Sequence, residues 1–148
     1  MELKEIMKSP VITVNKDATI KECGDILEKH VINGAPVVDD DRVVGVITRA
    51  DIFKSILPRY PEIFKDERSL SNLEYIKERI SKVTRLKVTE VMGSPAMTLD
   101  QDTPVCKAGS ILILRKIKQM PIMKDDQLVG IVTLTDIFRF VMKTAGQN

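Results

Sequence analysis

Two threonine-aspartate pairs are the residues of this chain whose types and spacing could support chemistry. Thr48 precedes Asp51 and Thr133 precedes Asp136, and both pairs close the pattern G-h-h-T-x-x-D, in which h is an apolar residue. A carboxylate accepts hydrogen bonds, and a hydroxyl donates or accepts them. Since neither pair has a general base or a nucleophile beside it, the pattern favours ligand binding over catalysis.

The same spacing also has a purely structural interpretation. Each Thr stands where a helix is predicted to begin, and a Thr followed three residues later by an acid is typical of an N-cap residue with an acidic N3 residue. Such a cap needs no ligand and contributes about 1 kcal/mol to stability. The spacing therefore leaves two alternatives open, ligand binding and helix capping alone.

The rest of the sequence offers no catalytic set. It contains one histidine, and the patterns GxSxG, HExxH and GxxxxGK[ST] do not occur. The aspartates at 39–41 and 125–126 are typical of turns. Cys23 and Cys106 have no CxxC partner, so we expect two buried thiols rather than a disulfide or a zinc site. We predict that the protein is not an enzyme and holds neither a catalytic cofactor nor a metal.

Composition limits the partners. The chain has 148 residues, of which 43% are apolar, and its net charge is only +2 with 4% aromatic residues and no Trp. A weak positive field and few stacking rings make nucleic acid an unlikely partner. No apolar run approaches the roughly 18 residues of a membrane span, and the first residues do not resemble a secretory signal. We therefore expect a compact cytoplasmic protein without membrane contact.

The chain repeats itself, and the repeat predicts its architecture. Residues 7–56 align without a gap with residues 92–141, so that Asp136 lies 85 positions after Asp51. A unit of about 50 residues is near the lower limit for an independent core, so we expect the two copies to pack together. The predicted boundaries are repeat 1 at 1–58, a linker at 59–87 and repeat 2 at 88–148.

Each copy reads as a β-α-β-β-α unit. The extended pieces VITV and AMTL precede helices that are predicted over about 19–30 and 104–116. At the start of the first helix, Thr19 with Glu22 fits a capping box. At the start of the second, Thr103 precedes a proline suited to the first helical position. The runs APVVD and VVGVIT, and likewise MPIMK and LVGIVT, are separated by Asp-rich turns and predict hairpins. A second helix follows in each copy, with one apolar face: Ile52, Phe53, Ile56 and Ile137, Phe138, Val141.

The linker divides into two parts. Its first half is rich in Pro and charge and reads as a surface loop. Its second half is predicted to be a connecting helix, because Leu73, Ile76, Ile80 and Val83 recur at intervals of three and four. Ser69 and Ser71 are the candidate caps of this helix.

The whole pattern closely resembles the CBS domain, the regulatory unit named after cystathionine beta-synthase, which occurs in tandem pairs called Bateman modules. The resemblance depends on the M-x-S-P start, the helix before APVVD or MPIMK, the Val-Gly turn into the third strand and the G-h-h-T-x-x-D ending. It implies an α+β fold of two pseudo-symmetric repeats packed through their sheets. It also implies clefts between the repeats for adenosine ligands, in which Thr and Asp hold the ribose.

The resemblance implies two binding clefts, each with the T-x-x-D of one repeat and the base pocket of the other. The first-choice cleft has a small glycine for the base between two isoleucines and comprises Ile12, Asn33, Gly34, Ile131, Thr133 and Asp136. The second has longer side chains near the base and comprises Val46, Thr48, Asp51, Met97, Lys118 and Gln119. Candidate cations for phosphates are Lys118 first, then Lys116, Arg115, Arg49, Lys29 and His30. The Lys and Arg residues are equally typical of a solvated surface, and the favoured interpretation of His30 is a helix C-terminal residue.

The leading hypothesis is a stand-alone regulatory module that senses an adenosine ligand and signals to a protein partner that the sequence does not identify. AMP, ADP and ATP are the expected ligands, with S-adenosylmethionine or NADH as further options. The moving parts are expected at residues 1–10, 88–95 and 58–72. The alternative is a ligand-free structural or dimerisation module in which the T-x-x-D motifs only cap helices. A homodimer is expected under both hypotheses, through the apolar faces of the second helices.

Overall fold

The structure is a computed structural model that describes residues 1–57 and 73–147, and it is an α+β fold. The candidate caps Ser69 and Ser71 and the expected loop at 58–72 lie outside the described residues. Short 3-10 helices at Leu3–Glu5 and Val88–Glu90 open the two copies. The strands are β1 (Val14–Asn15), β2 (Gly34–Asp39), β3 (Arg42–Thr48), β4 (Leu99–Asp100), β5 (Gln119–Lys124) and β6 (Gln127–Thr133). The helices are α1 (Ile20–Lys29), α2 (Arg49–Ile56), α3 (Leu73–Thr84), α4 (Val105–Leu114) and α5 (Leu134–Ala145).

The strands form two three-stranded sheets with the same topology. Their orders are β1-β2-β3 and β4-β5-β6, with the first pair in each sheet parallel and the second antiparallel. Both predicted hairpins are present, and each turns over two residues that begin with an Asp in the left-handed region, at φ 53° for Asp40 and 54° for Asp125. Aspartate tolerates this conformation better than most residues, which is why Asp-rich turns close both hairpins.

The first strand of each sheet is shorter than expected. VITV and AMTL predicted extended pieces of four residues, but β1 and β4 each have two. The chain bends at once, because the Asn15 Oδ1 atom accepts a hydrogen bond from the Asp17 amide at 2.9 Å and the Asp100 Oδ1 atom accepts one from the Asp102 amide at 2.8 Å. These hydrogen bonds between side chain and backbone compete with the hydrogen bonds between neighbouring strands, so the strand ends there.

The helix starts agree with the prediction in one copy and differ in the other. Thr19 is the N-cap of α1, and its hydroxyl accepts a hydrogen bond from the Glu22 amide at 3.2 Å. In α4 the N-cap is Pro104 itself rather than Thr103, so the proline does not occupy the first helical position. The amide of Val105, the first residue of α4, donates a hydrogen bond to the Met1 carbonyl at 3.0 Å. Among the described residues, no helix is long and apolar enough to cross a membrane.

The chain forms two compact units. Each unit contains the sheet of one repeat together with the first residues of the other repeat. One unit, the first-repeat unit, is Thr13–Ala96, and the other, the second-repeat unit, combines Met1–Ile12 with Met97–Asn148. We call residues 1–10 and 88–95 the leading segments. The segment 1–10 thus packs with the sheet of the second copy, and the segment 88–95 packs with the sheet of the first.

Each unit has its own apolar core, and the leading segments contribute to it. In the second-repeat unit the fully buried Leu3 packs with Val105, Leu112 and Val132. In the first-repeat unit Val88 is equally buried among residues of α1, β2 and β3. Helix α3 joins the first-repeat unit through the buried Val83 and through the Arg79 guanidinium, which donates to the Ser55 and Ile56 carbonyls at 2.7 and 2.9 Å.

The two cysteines differ in burial, which corrects the expectation of two buried thiols. Cys23 is fully buried in α1, whereas Cys106 is exposed on α4. The repeat explains the difference, since Cys106 aligns with the exposed Lys21 and the residue that aligns with Cys23 is the buried Ala108. Burial raises the pKa of the Cys23 thiol from 9.0 to about 11.

We expect the native protein to expose one reactive thiol. The thiolate is the nucleophile, and Cys23 is both inaccessible and rarely ionised at pH 8. Titration with a coloured disulfide reagent should modify Cys106 rapidly and Cys23 only after denaturant is added. Cys106→Ser should remove the rapid phase. Rapid modification of two thiols in the native protein would contradict this arrangement of α1 and α4.

Gly45 and Gly130 lie within strands and not in turns, which corrects the expectation of a Val-Gly turn. They occupy the middle of β3 and β6. A Cβ atom at Gly130 would lie 2.5 Å from the Met7 sulfur, and a Cβ atom at Gly45 would meet the Met92 sulfur and lie 2.8 Å from the Gly93 carbonyl oxygen. The glycines are needed so that the leading segments can approach the strands.

Gly45→Ala is expected to destabilise the protein by about 1–3 kcal/mol, because the backbone of the leading segment must move away from β3. Gly24→Ala is the matched control. It adds the same methyl group within α1, where a Cβ atom meets nothing within 4 Å, and should stabilise by about 0.5–1 kcal/mol. Denaturant unfolding of both variants measures the difference. Equal stability of the two variants would show that β3 has room for a side chain.

Candidate functional site

Both threonine-aspartate pairs lie at the junction of a strand with a helix, and both form a complete capping box. The Thr133 hydroxyl accepts a hydrogen bond from the Asp136 amide at 3.1 Å, and the Asp136 Oδ2 atom accepts one from the Thr133 amide at 2.9 Å. The equivalent distances for Thr48 and Asp51 are 3.2 and 3.0 Å. The predicted capping role is therefore present at the start of α2 and of α5.

Capping leaves one oxygen of Asp136 for another partner. The residue is only 7% exposed, and its Oδ1 atom lies 3.5 Å from the Lys8 Nζ atom and 4.0 Å from an Arg139 nitrogen. An ionised carboxylate offers about four acceptor positions. Since Oδ2 holds the cap, Oδ1 is the atom that can accept hydrogen bonds from a ligand. Capping and ligand binding are thus compatible at Asp136.

Lys8 is a site residue that the sequence reasoning missed. It belongs to a leading segment and is held against β6, because its amide donates to the Ile131 carbonyl at 2.9 Å and the Ile131 amide donates to the Lys8 carbonyl at 3.1 Å. A signal was present in the repeat, in which M-K-S-P of the first copy becomes M-G-S-P in the second. Without knowledge that the leading segments exchange, that difference could not be connected with Asp136.

The first-repeat unit contains the equivalent backbone arrangement, with Gly93 at the position that Lys8 occupies in the other unit. Gly93 and Val46 exchange backbone hydrogen bonds of 2.9 and 3.1 Å, as Lys8 and Ile131 do in the other unit. The backbone geometry beside Asp51 therefore repeats that beside Asp136. Within residues 1–57 and 73–147 the two Thr-Asp sites differ at this aligned position, which is Lys8 in one unit and Gly93 in the other.

Each Thr-Asp pair lies beside the residues that precede the hairpin proline of its own copy. Gly34 is the register partner of Thr48, and the Asn33 carbonyl accepts a hydrogen bond from the Arg49 amide at 2.8 Å. In the other sheet Gln119 is the register partner of Thr133, and the Lys118 carbonyl accepts a hydrogen bond from the Leu134 amide at 2.9 Å.

The remaining predicted residues are assigned to units as follows. Ile12, Ile131 and Met97 belong to the second-repeat unit, and Val46 to the first-repeat unit. Ile12, Ile131 and Val46 are half-buried, whereas Met97 is exposed. The structure thus brings Ile131, Thr133 and Asp136 into one unit with Lys118 and Gln119, and Val46, Thr48 and Asp51 into one unit with Asn33 and Gly34.

Lys118 and Gln119, which were both predicted to lie near the base in the second cleft, have different environments. Lys118 is exposed, but Gln119 is buried to 8% exposure. The Gln119 Nε2 atom has no hydrogen-bond partner among the described residues. A buried amide without a partner costs free energy, so Gln119 is a polar group that a ligand or a water can satisfy.

Two of the candidate cations have a structural role, and the other four are exposed side chains. The Arg49 guanidinium donates to the Ile32 carbonyl at 3.0 Å and to the Leu27 carbonyl at 3.4 Å, so it holds the end of α1 and is a poor phosphate ligand. His30 is the C-cap of α1, as the helix-terminus interpretation predicted. The candidates Lys29, Arg115, Lys116 and Lys118 are exposed. In residues 1–57 and 73–147, no cluster of three His, Cys, Asp or Glu residues could hold a metal ion.

A cavity of about 410 Å³ within the second-repeat unit reaches Asp136. Its walls come from the leading segment 1–10 and from α5, with Ile6 and Phe140 as apolar walls. The charged residues at its surface include Glu5, Arg139 and Lys143. This volume lies in the range of small-molecule sites. The buried carboxylate is therefore accessible from a cavity that also presents two cations.

Comparison with known proteins agrees with the resemblance inferred from the repeats. A sequence model of the CBS domain matches residues 3–58 and 88–143. The chain is 28% identical to the uncharacterized protein MJ1426 of Methanocaldococcus jannaschii, covering 93% of this chain and 89% of that protein. It is also 28% identical to the uncharacterized protein MJ1404 of the same organism, of which it spans 32% while 95% of this chain is covered.

A solved structure shows the same fold with ligands. The CBS domain pair of protein MJ0100 is 27% identical and superposes with a TM-score of 0.72, covering 97% of this chain and 98% of that one. That structure is a complex with 5′-methylthioadenosine and S-adenosyl-L-methionine. Both ligands contain an adenosine moiety, so the MJ0100 pair binds the class of compound that the sequence resemblance implied.

Proposed function

Because the chain belongs to the CBS domain family and carries two copies of the domain, we propose that it is a regulatory module that binds an adenosine nucleotide and signals its presence to a partner protein. The observation that carries the proposal is the Asp136 carboxylate. It is buried, it is positioned by its cap with Thr133, and it keeps one oxygen for a ligand. A ribose offers two neighbouring hydroxyl donors, which one carboxylate oxygen and its free lone pairs can accept.

The proposed ligand contacts follow the two sets of residues implied by the family. In the first set Asp136 and Thr133 hold the ribose, and Ile12 and Ile131 of the same unit contact the base. In the second set Asp51 and Thr48 hold the ribose, and Val46 of the same unit contacts the base. The first set is the primary site, because Asp136 is the more deeply buried of the two carboxylates.

Signalling requires that the ligand bind two arrangements of the protein with different affinity. The leading segment 1–10 is the proposed moving part. The Lys8 ammonium lies 3.5 Å from the Asp136 Oδ1 atom, and a ribose on that oxygen competes with this ion pair. Ligand binding thereby releases one of the contacts that hold the leading segment to the second-repeat unit.

A thermal-shift screen tests the proposed function. Purified, nucleotide-free protein is heated with AMP, ADP, ATP, GTP, NADH or S-adenosylmethionine. A ligand present at about 100 times its Kd adds about 2.7 kcal/mol, which raises the Tm by several degrees. We expect a shift with at least one adenosine compound and none with GTP. If no adenosine compound shifts the Tm of well-folded protein, the proposal is wrong.

A second candidate function is a structural module without a ligand, assembled as a homodimer. The observation that favours it is the complete capping box at both Thr-Asp pairs, which gives these residues a role that needs no ligand. Phe53 and Phe138, on the second helix of each copy, are each 61% exposed and are the proposed dimer contacts. A homodimer is compatible with either function, so the thermal-shift screen and not the oligomeric state separates the two candidates.

A further inference from the structure

We infer that Lys8 makes the Asp136 site selective for adenosine ligands that carry a phosphate, an inference that builds on the proposed function. The Lys8 ammonium is held beside the Asp136 carboxylate at 3.5 Å, and Arg139 approaches the same oxygen at 4.0 Å. The two cations differ strongly from the carboxylate in exposure, with side chains 62% and 64% exposed against 6% for Asp136. They can therefore follow a ligand while the carboxylate stays in place.

A ribose bound at Asp136 would disturb this ion pair. Hydroxyl groups on the Asp136 Oδ1 atom compete with the Lys8 ammonium for that oxygen. An unphosphorylated adenosine leaves that ammonium without its anion. A phosphate on the same ligand supplies a new anion within reach of the flexible lysine side chain, so that the charge of Lys8 is again compensated.

The local balance of charge agrees with an anionic ligand. Among the residues that the structure describes, the cations around the carboxylate are Lys8, Arg139 and Lys143, and the acids are Asp136 and Glu5. One oxygen of Glu5 already accepts a hydrogen bond from the Glu2 amide at 2.6 Å. The site therefore has an excess of positive charge. A sulfonium ligand such as S-adenosylmethionine adds a further cation there and is disfavoured relative to a nucleotide.

The backbone position of Lys8 is what makes it specific to one site. Lys8 pairs with Ile131 in β6, and Gly93 pairs in the same way with Val46 in β3. Among the described residues, a Cβ atom at Gly93 would meet the Val46 carbonyl oxygen alone, at 3.7 Å, so these neighbours leave room for a side chain. The absence of a lysine at position 93 is therefore not imposed by packing, and the two Thr-Asp sites are predicted to differ in their preference for phosphate.

The test compares AMP with adenosine by calorimetric titration of the full chain, for the wild type, Lys8→Met and Lys8→Arg. Wild type is expected to bind AMP about 10-fold more tightly than adenosine, a modest ratio because the cations are largely exposed. Lys8→Met should weaken AMP by about 10-fold, because the phosphate loses its cation, and should not weaken adenosine, because the competitor of the ribose for Asp136 is gone. Lys8→Arg should keep the preference for AMP. Lys107→Met, at an exposed position of α4, is the matched control and should change neither affinity.

The outcomes separate the inference from the proposed function. If wild type binds AMP and adenosine equally, or if Lys8→Met weakens both to the same extent, Lys8 only positions Asp136 and the inference is overturned while the proposed function stands. If neither compound binds to wild type, the proposed function fails and the inference fails with it. Gly93→Lys should increase AMP binding relative to adenosine, and an unchanged preference would contradict the role assigned to this backbone position.

Discussion

Replacing Leu3 by Ala is expected to destabilise the protein by about 2–5 kcal/mol, the range for removing a buried leucine side chain from a core. Leu3 belongs to the leading segment 1–10. In the structure it is fully buried with Val105 and Leu112. Its segment is also anchored by backbone hydrogen bonds, since the Leu3 amide donates to the Thr103 carbonyl and the Lys4 amide to the Gln101 carbonyl, both at 2.9 Å.

Denaturant unfolding and hydrogen exchange measure this effect. Leu114→Ala is the matched control, because Leu114 is 80% exposed at the end of α4 and the same truncation should change stability by less than about 0.5 kcal/mol. In Leu3→Ala the amides of β5, β6 and α4 should lose protection before those of β2, β3 and α1. Loss of protection that begins in the first-repeat unit would show that the leading segment 1–10 does not belong to the core of the second.

The second large effect is expected at Asp136. Asp136→Asn removes the charge but keeps a side-chain oxygen that can accept the hydrogen bond from the Thr133 amide, so the cap is retained. Stability should change by less than about 1 kcal/mol. Affinity for AMP should fall by about 10–100-fold, because hydrogen bonds to a charged acceptor are worth about 1.5–3 kcal/mol. Calorimetric titration gives the affinity, and denaturant unfolding gives the stability of the same preparation.

Asp51→Asn is the control for Asp136→Asn. It makes the same change in the equivalent capping box, where the hydrogen bond from the Thr48 amide is 3.0 Å. Its effect on stability should be similar, and its effect on AMP affinity at the primary site should be small. If both variants lose affinity equally, the assignment of Asp136 as the primary carboxylate is wrong. If neither loses affinity while both remain folded, the T-x-x-D motifs serve as caps alone.

Much of the fold could be predicted because its signals are local. The gapless repeat predicted two equivalent sheets, and the period of apolar residues predicted α1 and α4 with their buried positions, such as Ile20 and Leu27 or Val105 and Leu112. The Asp-rich turns predicted both hairpins. These signals need only the chemistry of a few neighbouring residues, which a sequence displays directly.

The features that were not predicted depend on contacts between distant segments. The exchange of the leading segments brings Lys8 to Asp136, a pair separated by 128 positions, and no periodicity connects them. The same exchange explains the strand glycines, since Gly45 and Gly130 look like turn residues until Met92 and Met7 are placed against them. The sequence thus predicted the carboxylates of the candidate site, Asp51 and Asp136, but not the cation Lys8.

The most direct test of the proposed function is a crystal structure of the protein grown with AMP. We predict density for the nucleotide with its ribose hydroxyls within hydrogen-bond distance of the Asp136 Oδ1 atom, with the Thr133 cap unchanged and the Lys8 ammonium moved from the carboxylate to the phosphate. A structure from saturating AMP in which Asp136 still binds only Lys8 and its cap, with no nucleotide at either Thr-Asp pair, would contradict the account.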